Sequence, residues 1–518
     1  MSGPAAPLPP LRGAHTLIGT LGVSLATFMT VLDSSIANVS LPAIAGDMGV
    51  SPSQGTWVVT SFAVANAISV PLTGWLARRL GQVRLMVGSV LAFTLFSWLC
   101  GVAPSIDTLI AARILQGLAA GPLIPLSQVL LLSSYTPARA GTAMAAWGMT
   151  VLVAPMVGPL LGGWITDNVS WPWIFYINIP VGLLSAAMTW MVYRRRESAH
   201  GPSPLDYTGL VLLVIWVGAL QLMVDQGKEL DWFESTEIVM MAVIATVGFL
   251  FFLAWELTQT SPIVDLRLFG QRNFALGTVS FAVSYGLFFG NVVLLPLWLQ
   301  QHMGYTAIWA GAVLAPVGVF AIMLSPWVGR NMARIDPRLL TTVSFFGYAI
   351  VLWLRSNFTT DSDLFAILMP TVLQGMATAF YFIPLQAIIY SGLPPARLPA
   401  AGGLSTFVRF VAGAVGTSVF TTLWERRAAM HHAHLTEQMS AQPANVQPVF
   451  ETLQGAGFLP DQSLGMVNRV IEQQAFTMAV ADVFYLSGWL YLLLLLPLWC
   501  SASTTRRPAA AGRASGSH

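Results

Sequence analysis

The sequence predicts an all-α polytopic membrane protein, built from two related six-helix bundles with two extra helices between them. Three observations predict it. Of 518 residues, 55% are hydrophobic and only 9% are charged, against about 25% charged in a soluble globular chain. The apolar residues fall into fourteen stretches of the length that a bilayer requires, roughly 20 residues each. Segments from the second quarter of the chain recur in the fourth, in the same order, as in transporters made of internal repeats.

The elements follow in order. A Pro-rich tail, 1–14, precedes an apolar stretch too long for the core of a signal peptide, which reads as an uncleaved first span. The first bundle, 15–196, holds candidate spans 15–40, 55–77, 83–103, 107–133, 141–166 and 172–193. The linking region, 197–261, holds 207–226 and 237–257. The second bundle, 262–500, holds 273–300, 306–329, 339–356, 363–391, 401–424 and 476–500. Between the last two spans, 426–475 is polar and is expected to be a long external loop. Residues 501–518 form a second tail.

Arg and Lys orient the chain, because cytoplasmic loops retain them. With the N-terminus inside, the inner segments carry 17: Arg12, Arg78, Arg79, Arg84, Arg139, Arg194, Arg195, Arg196, Arg267, Arg272, Arg330, Arg334, Arg338, Arg397, Arg506, Arg507 and Arg513. The outer segments carry five: Lys228, Arg355, Arg426, Arg427 and Arg469. Arg113 and Arg409 lie inside spans. The expected topology is N-in and C-in. It places Cys100 and Cys500 at opposite faces, too far apart for a disulfide. A net charge of +2 gives no sign of a nucleic-acid partner.

The repeat is explicit. LQGLAAGPLIPLS (115–127) resembles LQGMATAFYFIPLQ (373–386), and each is followed by PAR, at 137–139 and 395–397. PLTGWLARRLGQVR (71–84) resembles SPWVGRNMARIDPR (325–338). The two linking spans have no counterpart.

Asp33 is the one acid on the first apolar stretch. A charge at the centre of a spanning helix costs about 2.5–3.5 kcal/mol on insertion scales, so it needs a partner or a purpose. Arg113 lies at a similar depth on the fourth span, about 9 Å from the outer side at 1.5 Å per residue. Burial raises a carboxyl pKa and a nearby guanidinium lowers it. The opposed effects suit a carboxyl that gains and loses a proton during a transport cycle. Arg409, in the thirteenth span, is read as a snorkelling cation or as an attractor of acidic substrates.

Several segments together resemble the major facilitator superfamily, and within it the fourteen-span drug:proton antiporters. These are DSSIANVSLP (33–42), GWLARRLGQVRLM (74–86), ARILQGLAAGPLIPLS (112–127), VLVAPMVGPLLGGWI (151–165) and WPWIFYINIP (171–180). In the second half, DQGKELDWF (225–233), ELTQTSPIVDLRLF (256–269) and LPPARLPAAGGLSTFVR (393–409) are also similar. The resemblance covers nearly the whole chain. It implies the major facilitator fold and a multi-pass protein of the bacterial inner membrane. It further implies a proton-coupled exporter of hydrophobic or amphipathic drugs and toxic compounds, which confers antibiotic resistance. No cofactor is implied; the proton gradient supplies the energy. The implied protein partners are a periplasmic adaptor and an outer-membrane channel, with 426–475 as the docking element. Two rival readings are a proton-coupled importer of a nutrient or siderophore and a membrane sensor or scaffold that transports nothing.

The site residues follow from these readings. Asp33 and Arg113 are assigned to proton coupling. Phe28, Asn38, Asn66, Gln116, Gln128, Tyr285, Asn291, Gln374, Tyr381 and Arg409 are candidates for the substrate pocket, as aromatic and polar groups near mid-membrane. Pro155, Gly158, Pro159, Gly162 and Gly163 form the fifth-span antiporter motif, read as a hinge and a tight seam against the other bundle. Gly74, Arg78, Arg79, Gly81 and Arg84 form the inner-loop motif, where Arg78 replaces the superfamily's usual acid. His431, His432 and His434 read as a solvated helix extension rather than a metal site. No nucleotide-binding loop and no catalytic arrangement is apparent, so the chain is not read as an enzyme.

Overall fold

The computed structural model describes residues 10–503, apart from positions 137, 138, 199, 202, 203, 333 and 442. The two expected tails lie largely outside these residues. Every regular element among the described residues is helical. The first half contains α1 (Ala14–Asp47), α2 (Pro52–Ser69), α3 (Thr73–Leu80), α4 (Gln82–Gly101), α5 (Ile106–Ala120), α6 (Leu123–Ser134), α7 (Ala140–Asn168), α8 (Trp173–Tyr176) and α9 (Asn178–Tyr193). The linking pair is α10 (Tyr207–Gln226) and α11 (Thr236–Thr258). The second half contains α12 (Arg272–Gln301), α13 (Ala307–Asn331), α14 (Pro337–Arg355), α15 (Leu364–Ala379), α16 (Phe382–Tyr390), α17 (Leu398–Ala441), α18 (Pro443–Gly455), α19 (Pro460–Leu493) and α20 (Leu495–Cys500).

Among the described residues, 13 helical segments are long and apolar enough to cross a membrane. The expected fifth span is α7, a further helix of 29 residues. Several spans are broken where the sequence breaks them. Pro71 sits in the 3-10 turn between α2 and α3, and Pro122 stands between α5 and α6. Proline removes a backbone donor and crowds the preceding turn.

The repeat extends to the helix starts. Ala14 and Arg272, Ile106 and Leu364, and Ala140 and Leu398 are each 258 residues apart. The long core of the second half also takes in Leu213, Trp216 and Val217 of α10 and Phe252 of α11. The same core includes Ala67, Ile68 and Val70 of the first bundle, so the linking pair packs against both halves, with α10 against α2 and α17.

Two expectations are corrected here. The first span ends at Asp47, not at 40. The segment 426–475 is not a loop: α17 runs unbroken for 44 residues, about 66 Å at 1.5 Å per residue, twice a hydrocarbon core of about 30 Å. With α18 and the first turns of α19 it forms a helical cap beyond the bundle. His431 lies on this extension and pairs with Asp482 at 2.8 Å; His432 meets Asn468 at 3.0 Å. No group of three metal-ligating side chains is found among the described residues.

Candidate functional site

Asp33 and Arg113 meet in the interior of the first bundle, and both side chains are fully buried. Arg113 Nη1 donates to Asp33 Oδ2 at 2.6 Å. Gln116 Nε2 and Asn178 Nδ2 donate to Asp33 Oδ1 at 3.0 and 2.8 Å. The guanidinium is held in turn: Nε donates to the Val58 carbonyl at 2.9 Å, and Nη1 to Gln116 Oε1 at 2.6 Å. Its carbon lies 4.2 Å from the centre of the Phe62 ring, a favourable cation–π distance. Arg113 Nη2 is buried without a hydrogen-bond partner. Ser97 Oγ closes the network by accepting from Gln116 and Asn178.

Helix periodicity brings this about. Arg113 and Gln116 are three apart on α5, so they share a face. Asp33 comes from α1, Ser97 from α4, Phe62 from α2, and Asn178 from the start of α9, within the quoted segment INIP. Gln116 is thus a partner of the ion pair and not a pocket wall. Asn178 and Ser97 were missed, because a neutral polar residue in an apolar helix carries no depth signal comparable to a charge.

The second bundle holds the counterpart, with different chemistry. The 258-residue shift that relates the helix starts carries Gln116 to Gln374, Asp33 to Asn291, Arg113 to Thr371 and Ser97 to Arg355. Arg355 is buried, which corrects its assignment to an outer loop. Its Nη2 donates to Gln374 Oε1 at 2.6 Å and to Thr371 Oγ1 at 3.1 Å. No acid lies within ion-pair distance of it among the described residues. Asn291 donates to the Leu287 carbonyl at 2.6 Å, and its own carbonyl oxygen is unmet.

Arg409 also has no acid partner among the described residues. It is buried, and its guanidinium carbon lies 4.9 Å from the Phe281 ring centre, 5.2 Å from Tyr285 and 5.5 Å from Phe410. This aromatic cage replaces the snorkelling expected from sequence. Tyr381, stacked in the same aromatic core, shares a hydrogen bond with Ser284 at 2.8 Å.

The remaining candidates scatter. Gln128 accepts from Tyr390 of the second bundle at 2.7 Å, so it bridges the halves. Phe28 and Asn66 are half-buried, and the Asn66 side-chain oxygen is unmet. Asn38 is exposed and bonds its own helix at Ser34, which places it outside any pocket.

The fifth-span glycines make close contacts with α1. A Cβ on Gly158 would lie 2.6 Å from Ser35 Oγ, and one on Gly162 would lie 2.8 Å from Ile36 Cγ1. Both neighbours are on α1, so this seam lies inside the first bundle. Gly163 has only Val39 of α1 within reach, at 3.9 Å. The side chains of Pro155 and Pro159 fall outside the described residues. α7 also packs along α13 of the second bundle, and at its start a Cβ on Gly141 would collide with the Gly329 carbonyl. Gly74 makes a matching approach: its Cβ would lie 2.7 Å from Ala400. The bundles therefore meet closely at the Arg-rich face.

In the inner-loop motif, Gly81 has φ of 88°, open to glycine without strain. The Glu197 carboxylate accepts from the Val83 and Arg84 amides, both at 2.9 Å, so it caps α4. Arg84 Nη1 reaches His200 at 3.2 Å. Arg79 lies over Trp75, 5.4 Å away. Arg78 offers its carbonyl to the Gly201 amide.

Two quasi-repeated helical bundles in the membrane, with buried charge inside them, define a multi-pass secondary-transporter architecture. The chain belongs to the major facilitator superfamily: that family's model matches residues 23–417. It is 50% identical to the multidrug export protein EmrB of Escherichia coli K12, over 95% of this chain and 96% of that one. It is 47% identical to the fatty acid resistance protein FarB of Neisseria gonorrhoeae, over 95% and 97% of the two chains. Among solved structures, the human organic anion transporter MFSD10 aligns with a TM-score of 0.59 at 14% identity, over 94% of this chain and 100% of that one. The proton:xylose symporter XylE aligns with the same TM-score at 13% identity, over 94% and 95%. At these identities the two structures speak for the fold alone. The chain is a multi-pass protein of the bacterial inner membrane.

Proposed function

We propose that the chain exports hydrophobic and amphipathic toxic compounds in exchange for protons, with Asp33 as the proton carrier. The observation that carries the coupling is Asp33 itself, a fully buried acid held by three donors from two other helices. Protonation neutralises the carboxylate and removes its attraction for Arg113. The guanidinium keeps Val58, Gln116 and the Phe62 face, so it can survive that step. Proton loss restores the pair. Helices α1, α4, α5 and α9 all touch the network, so its charge state bears on how the first bundle packs. The names of the close relatives support drug export as the cargo side of the cycle.

The test is efflux from proteoliposomes under an imposed pH gradient. Asp33→Asn is expected to abolish uphill export while the protein stays folded. Continued uphill export by the folded variant overturns the role of Asp33.

The partners proposed are a periplasmic adaptor of the EmrA kind and an outer-membrane channel of the TolC kind. The cap formed by α17, α18 and α19 would dock them. Its exposed Leu459, Leu464 and Val470 supply apolar contact area of the sort that protein interfaces use. Replacing 436–466 by a short linker should abolish resistance in cells and spare transport in vesicles. Loss of transport in vesicles counts against a docking role.

A further inference from the structure

Between the linking pair and the two bundles lies a cavity of about 670 Å³. Trp216 of α10, Thr246 and Phe249 of α11, Phe269 beyond α11, and Phe407 of α17 line it, and Pro71 of the first bundle contributes to one wall. None of its lining side chains is charged, and Thr246 bears the only hydroxyl. Phe249 and Leu257 on its wall are 42% and 49% exposed, so the cavity opens sideways, where the lipid lies. Trp216 is 6% exposed, and its indole N–H has no hydrogen-bond partner. Buried donors in folded proteins almost always find an acceptor.

We propose that this groove is a second ligand site, separate from the Asp33 network. It takes a neutral apolar molecule with one hydrogen-bond acceptor, such as a ketone, ester or ether, which enters from the lipid. The aromatic walls suit an aryl or long alkyl body. The buried, unpartnered indole N–H selects the acceptor. Trp216 lies about 13 Å along a helix of about 30 Å, near the membrane midplane. That depth disfavours the ester groups of a resident glycerolipid, which sit at the interface. The proposal concerns binding, so it stands or falls apart from the export reading.

The experiment is photolabelling of the full chain in nanodiscs with 4-dodecylbenzophenone, a neutral ketone, followed by peptide mapping. Saturable adducts are expected within 213–220, 245–249, 252–257 and 404–411. Dodecanophenone should compete about 3- to 10-fold better than dodecylbenzene, which lacks the carbonyl; this is the contribution of one net hydrogen bond. Trp216→Phe should erase that difference and retain labelling. Thr246→Trp, which fills the groove from an exposed position on its wall, should cut saturable labelling at least fivefold. Adducts that do not saturate and that fall equally on the outward-facing Leu250 and Phe251 mean membrane partitioning alone, and overturn the proposal. Equal competition by ketone and hydrocarbon overturns the role of the indole.

Discussion

The two bundles share a scaffold and differ in the charges they bury. In the first, Arg113 faces a carboxylate, and amides fill the remaining valences. In the second, the acid's counterpart is Asn291, and the buried cation has moved from the fourth-span position to that of Ser97, as Arg355. Arg355 is held by Gln374 and Thr371 alone. The difference teaches that this protein tolerates a buried guanidinium without an acid, at Arg355 and again in the aromatic cage of Arg409. Among the described residues it does not bury a carboxylate in the same way near mid-membrane without a cation. One bundle buries an acid paired with a cation, and the other buries only cations near mid-membrane among the described residues.

The largest expected effect breaks that comparison directly. Arg113→Met strands the Asp33 carboxylate and should destabilise by about 3–5 kcal/mol, the usual result of removing one partner of a buried pair. Arg355→Met strands only neutral acceptors and should cost about 1–3 kcal/mol. Asp33→Asn leaves Arg113 in the situation that Arg355 already occupies, so it should fold. Thermal unfolding in detergent, followed by a monodisperse size-exclusion peak, ranks the three. Equal losses for Arg113→Met and Arg355→Met would remove the distinction between the bundles.

How much of this was legible in the sequence depends on the kind of signal. A charge in an apolar run has a depth, and a depth can be matched; hence Asp33 and Arg113 could be paired from spacing. Gln116 could be seen as polar but not placed, because an amide serves a pocket or a network equally well. Arg355 was misread because the end of a span and the start of a loop look alike when the boundary is uncertain by a turn. The fifth-span glycines announced close packing but not its partner, since small residues fit any neighbour. The 426–475 segment was polar, and polarity marks exposure to water without distinguishing a loop from a solvated helix.

The next effect sharpens the comparison outside the membrane. His302 ends α12, stacked on Phe476 at 4.1 Å and edge-on to Trp424 at 5.6 Å. Its counterpart in the first bundle, Ile44, is a buried aliphatic. Burial pushes the His302 imidazole below its ordinary pKa, and the nearby Glu472 offsets only part of this. The unfolded segment therefore binds a proton more readily than the folded one. The contribution of His302 is complete above its unfolded value, about pH 6.5, and is lost as the pH falls through the window below it. Once corrected for the base-catalysed intrinsic rate, which itself falls as the pH drops, hydrogen-exchange protection at the base of the cap, in α17 and α19, should weaken between pH 7.5 and 5.5. His302→Phe should flatten that dependence, while α1 around Ile44 shows none in either protein. A pH-independent cap in the wild type contradicts the assignment.

The smallest effect concerns the Arg-rich face, where the same shift pairs Arg78 with Asp336. The acid absent from the first bundle's inner-loop motif is present in the second. Asp336 caps α14 by accepting from the Arg338 amide at 3.0 Å, and it pairs with the Arg338 guanidinium at 3.0 Å. Burial alone would push its carboxyl up, but hydrogen bonds from Arg338 and Ser503 outweigh this and hold it below the ordinary value. In the first bundle the equivalent cap on α4 comes from Glu197, on the far side of the sixth span. Each bundle thus solves the same helix-start problem, one locally and one from a distance. Asp336→Ala should cost about 0.5–2 kcal/mol, the usual value of a capping side chain. Its effect should be present at neutral pH and vanish as the pH falls through the folded carboxyl's range, where the wild type has lost the same interaction. Glu197→Ala should cost a similar amount and also loosen the chain after α9, because its partners lie more than a hundred residues away. Limited proteolysis between 194 and 206 reads that second consequence: faster cleavage in Glu197→Ala than in Asp336→Ala supports the distant cap, and equal rates mean that Glu197 merely rests against α4.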